Sequence, residues 1–242
     1  MGFKVAGLHF AVILLAGLTF PLLAGAQEQS EDAAPQDMPV MQDDAGAEAP
    51  VAERQIQLVG LGDSLMAGYQ LQGSESLPSQ LEKVLHDRGL NVAISNAGVS
   101  GDTSEGGLSR VDWSVPDGTD GVILELGAND ALRGIAPEET EKNLAAIIER
   151  LKARKIGVLL VGMIAPPNMG SEYGKRFNPI YARLSEKYNL PLYPFILEGV
   201  ATDASLKLGD GMHPNAKGVG IISGKMAPVV ESFAKALEDN KS

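Results

Sequence analysis

Three short polar segments of this chain carry residue types that together can break acyl bonds. Ser64 and Asn129 each follow an apolar run, while Asp210 and His213 lie three residues apart near the C-terminus. A serine, a histidine with a nearby carboxylate and an amide donor are the parts of a serine-type acyl hydrolase. Because a serine after a strand is by itself usually a turn or helix-cap residue, this prediction depends on all three segments together.

The histidines narrow the choice of a base for Ser64, whose hydroxyl is a poor nucleophile until its proton is removed. His9 lies in an apolar N-terminal stretch, and His86 lies among charged residues of a predicted helix, where we expect it to be solvated. His213 remains, and Asp210 is spaced so that one turn can bring its carboxylate to the imidazole Nδ1. Taken alone, this pair is equally compatible with a helix-entry turn in which Asp210 is a capping acceptor.

An ester carbonyl becomes an oxyanion when a serine attacks it, so hydrogen-bond donors must already be in place. Asn129 offers a side-chain NH₂, and Gly101 offers a backbone N–H that no side chain obstructs. The backbone N–H of Ser64 is the third candidate donor. Judged from their own segments, Gly101 could equally be a turn glycine and Asn129 the first residue of an Asx turn.

From residue 54 onward, apolar runs alternate with amphipathic helical patterns. The runs predicted to be strands are residues 56–61, 92–95, 122–126, 156–162 and 192–195. The predicted helices are one capped by Ser76 and ending before Gly89, residues 137–155, residues 178–188, and a long helix after Pro214. This alternation predicts a parallel sheet that is covered by helices on both faces.

The carboxyl ends of the predicted strands bring the candidate residues together. Ser64, Gly101 and Asn129 each lie just after a predicted strand. Ligands of open parallel sheets bind beyond the carboxyl ends of the strands. We therefore expect the three residues to share one edge of the sheet.

The walls of an acyl pocket are expected at the same edge. Residues 163–177 follow the fourth predicted strand and contain two prolines and two glycines, so we predict a loop that walls the pocket. Leu65, Met66 and Tyr69 are expected to add apolar, adaptable side chains near the nucleophile.

The N-terminus is typical of a secretory signal peptide, predicted here for residues 1–26. Lys4 gives a short basic region, residues 10–23 are almost wholly apolar, and small residues occupy positions 24–26. The alternative is an uncleaved anchor, but the apolar run is short for a membrane span. The chain contains no cysteine, which excludes a lipid-modified cysteine anchor and any disulfide framework.

Residues 27–53 differ in composition from the rest and are predicted to be a disordered acidic linker. They contain eight acidic residues and no Lys or Arg. Of the net charge of −11, this segment contributes −8 and the signal +1, so residues 54–242 carry −4. That small charge gives no indication of nucleic-acid binding. Residues 54–242 are predicted to be one catalytic domain.

Four segments resemble the conserved blocks of the GDSL, or SGNH, hydrolases. The resemblance extends from residue 57 to about residue 215, and the acidic linker is not part of it. Within that family, the chain is most similar to the periplasmic multifunctional thioesterase/lysophospholipase/arylesterase subgroup of gram-negative bacteria. The four segments are Gly62-Asp63-Ser64-Leu65, the stretch around Gly101, Gly127-Ala128-Asn129-Asp130 and Asp210-Gly211-Met212-His213.

The resemblance implies an α/β fold, a three-layer α/β/α sandwich with a five-stranded parallel sheet of flavodoxin type. It also implies Ser64 as the nucleophile, His213 as the base and Asp210 as the residue that orients it. The oxyanion donors would be the N–H groups of Ser64 and Gly101 and the side chain of Asn129.

Motifs for cofactors and metals are incomplete in this chain. Gly60 and Gly62 begin like a dinucleotide fingerprint, but Leu65 occupies the place of the third glycine. His86 and His213 have no spacing typical of a metal site. We therefore expect no cofactor and no metal ion.

The sequence as a whole predicts an exported serine esterase, periplasmic or secreted, that acts on aryl esters, acyl thioesters or lysophospholipids. Its expected partners are small-molecule or lipid esters, and we expect no binding to nucleic acid. The protein is expected to be a monomer with no stable membrane span after signal cleavage. One alternative is a polysaccharide O-acetyl esterase of the same fold. Another, from a different class, is a non-catalytic ligand-binding module.

Overall fold

Five parallel strands form the centre of the fold, in the order β2-β1-β3-β4-β5. The computed structural model describes residues 54–239, so the predicted signal peptide and acidic linker lie outside the described residues. The sheet confirms the predicted five-stranded parallel arrangement. Its strands are β1 (Ile56–Gly62), β2 (Val92–Gly98), β3 (Gly121–Glu125), β4 (Gly157–Val161) and β5 (Leu192–Tyr193).

The strand register aligns the carboxyl ends of the three strands that precede the candidate residues. Gly62, at the end of β1, pairs with Gly98 on β2 and with Glu125 on β3. All five residues of β3 are buried, which is why this strand is a continuous run without polar alternation. The segments that follow β1, β2 and β3 therefore begin at the same edge of the sheet.

Helices cover the sheet on both sides. α2 packs against α8 in one layer, and α5 packs against α3 and α7 in the other. The predicted apolar face of α5 is buried at Leu144, Ile147, Ile148 and Leu151. The helices are α1 (Ser64–Ala67), α2 (Leu77–Asp87), α3 (Ser104–Ser114), α4 (Ala128–Leu132), α5 (Pro137–Ala153), α6 (Ser171–Phe177), α7 (Ile180–Tyr188) and α8 (Ala216–Asp239).

Residues 163–177 differ from the predicted loop. A short 3₁₀ turn covers Pro167–Met169, and α6 follows it, so the prediction of a loop throughout is wrong. Gly170, at φ +85°, makes the turn into α6 that other residues adopt only with strain. Tyr173 and Phe177 lie four residues apart with stacked rings, and Phe177 is fully buried, which anchors this helix to the core.

Within residues 54–239, no helix is long and apolar enough to cross a membrane.

Candidate active site

Ser64 is the first residue of α1, which only Asp63 separates from the end of β1. Asp63 caps this helix, because its Oδ1 accepts the N–H of Leu65 at 3.0 Å. The tight passage from strand to helix needs a glycine at position 62, where a Cβ would lie 2.6 Å from Oε2 of Glu125. This local structure fixes the Ser64 side chain at the carboxyl edge of the sheet.

The structure brings Ser64, His213 and Asp210 into one hydrogen-bonded chain. The Oγ of Ser64 lies 2.9 Å from Nε2 of His213, and Nδ1 of His213 lies 2.6 Å from Oδ2 of Asp210. The ring of Tyr69 packs against the imidazole, with 4.4 Å between the ring centroids. This is the order of contacts that allows a histidine to take a proton from a serine.

Asp210 is held as a carboxylate by the turn that carries it. Its Oδ1 accepts the backbone N–H groups of Met212 at 2.9 Å and His213 at 3.0 Å. The hydrogen bond from the imidazole, followed by these two backbone N–H groups, lowers the pKa of Asp210 to about 2. An ionised carboxylate only accepts, so Nδ1 of His213 donates to it, and Nε2 is left free to accept the hydroxyl proton of Ser64.

The three candidate oxyanion donors differ in their surroundings. Ser64 and Asn129 line the same cleft. Gly101 is not one of the residues that line it, and its carbonyl accepts a 2.6 Å hydrogen bond from the guanidinium of Arg133 at the end of α4. Among the described residues, the N–H groups of Ser64 and Gly101 have no acceptor, so both can donate to a ligand.

Two fully buried carboxyl groups lie beneath Ser64. Oε2 of Glu125 accepts the N–H of Asp63 at 3.2 Å, and Oδ2 of Asp63 accepts Nδ2 of Asn129 at 3.1 Å. Burial raises the pKa of Asp63 to about 6, although its hydrogen bonds oppose the rise. Burial and the charge of Asp63 raise the pKa of Glu125 well above its usual range. Glu125 links the end of β3 to the segment that carries Ser64.

Glu125 was missed by the sequence analysis because it was counted within an apolar run. Its Oε1 is buried and accepts no hydrogen bond from the described residues. A carboxyl side chain on a fully buried strand is rare unless it is paired. That exception to the apolar pattern was the available signal.

Arg110 of α3 is a second residue that the sequence analysis missed. Its buried guanidinium donates to the carbonyls of Gly62 at 2.9 Å and Ala97 at 2.8 Å. Its Nε donates to Oδ2 of Asp102 at 2.6 Å. A single side chain therefore joins the ends of β1 and β2 to the segment that carries Gly101, and nothing local in the sequence of α3 indicates this role.

Asp130 anchors the helix that presents Asn129. It is fully buried, and its carboxylate accepts the N–H of Ser104 at 2.8 Å and the Thr140 hydroxyl at 3.1 Å. These contacts connect α4 to α3 and α5. The short helix α4 is thereby held at the carboxyl edge of the sheet.

A mostly apolar cleft of about 560 Å³ opens beside Ser64 and His213. Leu65 lines it as predicted, but Met66 is fully buried in the core. Met66 follows Leu65 on α1 and so points about 100° away from it, into the core, where its side chain lies against Gly60. The apolar walls are Leu65, Ala128, Leu132, Met163, Ile164, Ala165, Pro166, Pro167, Phe195, Leu197, Val200, Ala201 and Met212.

The remaining features lie away from this cleft. His86 is exposed, as predicted, and its Nε2 lies 2.6 Å from the carbonyl of Val92. A larger hollow of about 730 Å³ lies between α8 and the amino end of β4, at the opposite edge of the sheet from Ser64. Ser232 lines it, but none of the described residues that line it is a histidine or another base that could activate that serine. In residues 54–239, no group of three or more His, Cys, Asp or Glu side chains could hold a metal ion.

Comparison with known proteins relates this geometry to a family of hydrolases. The model of the GDSL-like Lipase/Acylhydrolase family matches residues 61–221. Esterase TesA of Pseudomonas aeruginosa is 39% identical over 134 residues, covering 55% of this chain and 67% of that protein. Thioesterase 1/protease 1/lysophospholipase L1 of Escherichia coli K12 is 37% identical over 136 residues, covering 56% and 65% of the respective chains. The matched region therefore spans about two thirds of these curated relatives.

A solved structure extends the similarity over nearly a whole chain. The esterase AlinE4, described as a member of the SGNH-hydrolase family, superposes with a TM-score of 0.63 at 44% identity. The superposition covers 74% of this chain and 96% of AlinE4.

Proposed function

Because the chain belongs to the GDSL-like lipase/acylhydrolase family and is therefore an ester-bond hydrolase, we propose that it cleaves carboxylic esters and thioesters through an acyl-enzyme on Ser64. The observation that carries this proposal is the chain of contacts at 2.9 and 2.6 Å from Ser64 through His213 to Asp210. Ser64 and His213 line a cleft that is large enough for an acyl or aryl group.

The proposed first step forms the acyl-enzyme. Nε2 of His213 accepts the proton as Oγ of Ser64 bonds to the carbonyl carbon. The oxyanion is bound by the N–H groups of Ser64 and Gly101 and by the amide of Asn129. Collapse of this intermediate breaks the bond to the alcohol or thiol, which takes the proton from His213.

The proposed second step returns the enzyme to its starting state. Water gives a proton to His213 and adds to the acyl carbon, and the same donors bind the new oxyanion. The bond to Ser64 then breaks, the acid leaves, and Oγ regains its proton. Asp210 stays ionised throughout and stabilises the imidazolium in both steps.

The cleft supports a substrate with an acyl chain of several carbons. Its walls are mainly apolar, and each methylene that leaves water there can gain up to about 0.8 kcal/mol. A polysaccharide O-acetyl esterase needs a closed site that accepts acetyl and rejects longer chains. An open cleft of about 560 Å³ favours the longer acyl esters.

Hydrolysis of nitrophenyl acetate, butyrate, octanoate and palmitate, measured side by side, tests the function. We expect kcat/KM to rise over several carbons and then to level off. Strict preference for acetate, with release of acetate from an acetylated polysaccharide, would favour the O-acetyl esterase. No turnover of any ester by the folded protein would favour the non-catalytic binding module.

The proposal includes export. Residues 1–26 would be removed as a signal peptide, residues 27–53 would be a linker, and residues 54–242 would act as a monomer in the periplasm or outside the cell. Mass spectrometry of the mature protein tests this, since its chain should begin at residue 27. A mature protein that begins at Met1 would contradict it.

A further inference from the structure

Lys207 is a charged side chain in the cleft that the proposed reaction does not use. Among the described residues that line the cleft, the polar side chains are those of Ser64, Asn129, His213 and Lys207. The first three have roles in the proposed reaction. Lys207 is left as a cation in mostly apolar surroundings.

The position of Lys207 is fixed by the loop that carries the catalytic turn. Lys207 forms an antiparallel bridge with Pro214, so it lies at the base of the turn that holds Asp210 and His213. Its Nζ donates to the carbonyl of Ala201 at 2.9 Å, and its side chain is half-buried. The charge is therefore held close to the reaction centre.

Nothing within residues 54–239 neutralises this charge at short range, because Lys207 is absent from their ion pairs at 4 Å or less. The carboxylate of Asp203 interacts with this charge from beyond 4 Å, and its Oδ1 accepts the N–H and hydroxyl of Ser205 at 2.8 and 2.7 Å. An ammonium group has three N–H donors, and the Ala201 carbonyl uses one of them. Two donors are left for a ligand.

We propose that Lys207 is an anion-binding subsite and that the preferred ester carries a carboxylate or phosphate group. A partly buried ammonium without a counter-ion in contact is unfavourable, and a ligand that brings an anion removes that disadvantage. This inference rests on the proposed esterase function and specifies its substrate class. The anion must belong to the same molecule as the ester, since Lys207 and His213 flank one cleft.

The anionic group of the substrate can lie on the acyl side or on the alcohol side of the ester bond. Two pairs of matched substrates distinguish these two positions. The mono-nitrophenyl ester of adipic acid and nitrophenyl hexanoate differ in a carboxylate on the acyl side. Hexanoyl glycerol 3-phosphate and hexanoyl glycerol differ in a phosphate on the alcohol side. The measured quantity is the ratio of kcat/KM for the anionic ester to that for its neutral counterpart.

Three variants separate the charge from the hydrogen bond to Ala201. In Lys207→Met and Lys207→Gln, the ratio for at least one pair should fall about tenfold, mainly through KM, because a charge-assisted hydrogen bond is lost. Lys207→Gln keeps a donor for the carbonyl of Ala201. Lys207→Arg should retain most of the ratio, and Lys83→Met, at an exposed position of α2, should leave it unchanged.

The result for the wild-type protein should also depend on salt. The ratio should fall as ionic strength rises, since salt screens a half-exposed charge. If neutral and anionic esters are both hydrolysed and no pair depends on Lys207, the subsite is wrong while the esterase function stands. If no ester is hydrolysed by the wild-type protein, the proposed function itself fails.

Discussion

Asn129 uses one amide N–H inside the protein and keeps the other for the cleft. Its Nδ2 donates to Oδ2 of Asp63 at 3.1 Å, while the residue also lines the cleft beside Ser64. A primary amide carries two donors, so the remaining N–H can bind an oxyanion. Asp63 thus sets the direction of an amide that α4 alone would leave free to rotate.

Replacement of Asn129 by Ala should lower kcat by about 10²- to 10³-fold, with a much smaller change in KM. The donor acts on charge that develops only in the transition state, so binding of the ground state is little affected. Steady-state kinetics with nitrophenyl butyrate measure both constants. A change in KM alone would instead make Asn129 a substrate-binding residue.

Asp210 should not contribute to the pH dependence of kcat/KM near neutral pH. Asp210, with its pKa lowered to about 2, stays ionised above about pH 4, so it adds no inflection there. Asp210→Asn should reduce kcat by about 10³- to 10⁴-fold, because it removes the acceptor that sets the tautomer. Nearly normal turnover in this variant would show that the imidazole needs no carboxylate.

The junction of β1 and β3 places two carboxyl groups where water cannot reach them. Asp63 and Glu125 are 0% and 1% exposed, and both have a raised pKa because burial disfavours their charged forms. The folded protein then keeps protons that the unfolded chain has released. Stability from this pair is present at low pH and is lost as pH rises.

Glu125→Gln should weaken the pH dependence of the free energy of unfolding. Because Glu125 keeps its proton in the folded protein, the wild-type protein should lose stability relative to the variant as pH rises above about 4, where unfolded carboxyls ionise. Urea unfolding from pH 4 to 8 measures it. Glu186→Gln, exposed on α7, is the control and should follow the wild-type curve; the same behaviour in Glu125→Gln would contradict the buried pair.

Elements that depend on hydrophobic runs were predictable from the sequence, whereas those set by close packing were not. β1 and β3 are buried on both faces, so their apolar runs stand out. α3 was missed because two of its residues are glycines, which weaken any helical pattern. One of them, Gly107, is required by packing, since a Cβ there would lie 2.2 Å from Leu126.

The candidate site shows the same limit. Ser64, Asn129 and His213 belong to local motifs, so short segments of sequence were enough to select them as candidates. The contacts of Arg110 and Lys207 join segments that are distant along the chain or depend on loop geometry. Neither the hydrophobic periodicity nor the spacing of residues in the sequence predicts such contacts, which form only in the folded protein.

In the molecule as a whole, residues 54–239 contain the sheet, both helical layers and the candidate site. We therefore predict that deletion of residues 27–53 leaves the melting temperature and ester turnover almost unchanged. That segment has no apolar periodicity with which to dock on a domain. Thermal unfolding of the full mature chain and of the shortened chain makes the comparison. A melting temperature lowered by many degrees would show that the segment packs on the domain.

Covalent labelling with a serine-directed organophosphonate tests the role of Ser64 most directly. Intact-mass measurement of the mature wild-type protein should show one added phosphonyl group, and peptide mapping should place it on Ser64. Ser64→Ala should remain folded, take up no label and lose about 10⁴- to 10⁶-fold in turnover. A label on another serine, or ester turnover by the folded Ser64→Ala protein at the wild-type rate, would contradict the proposed acyl-enzyme.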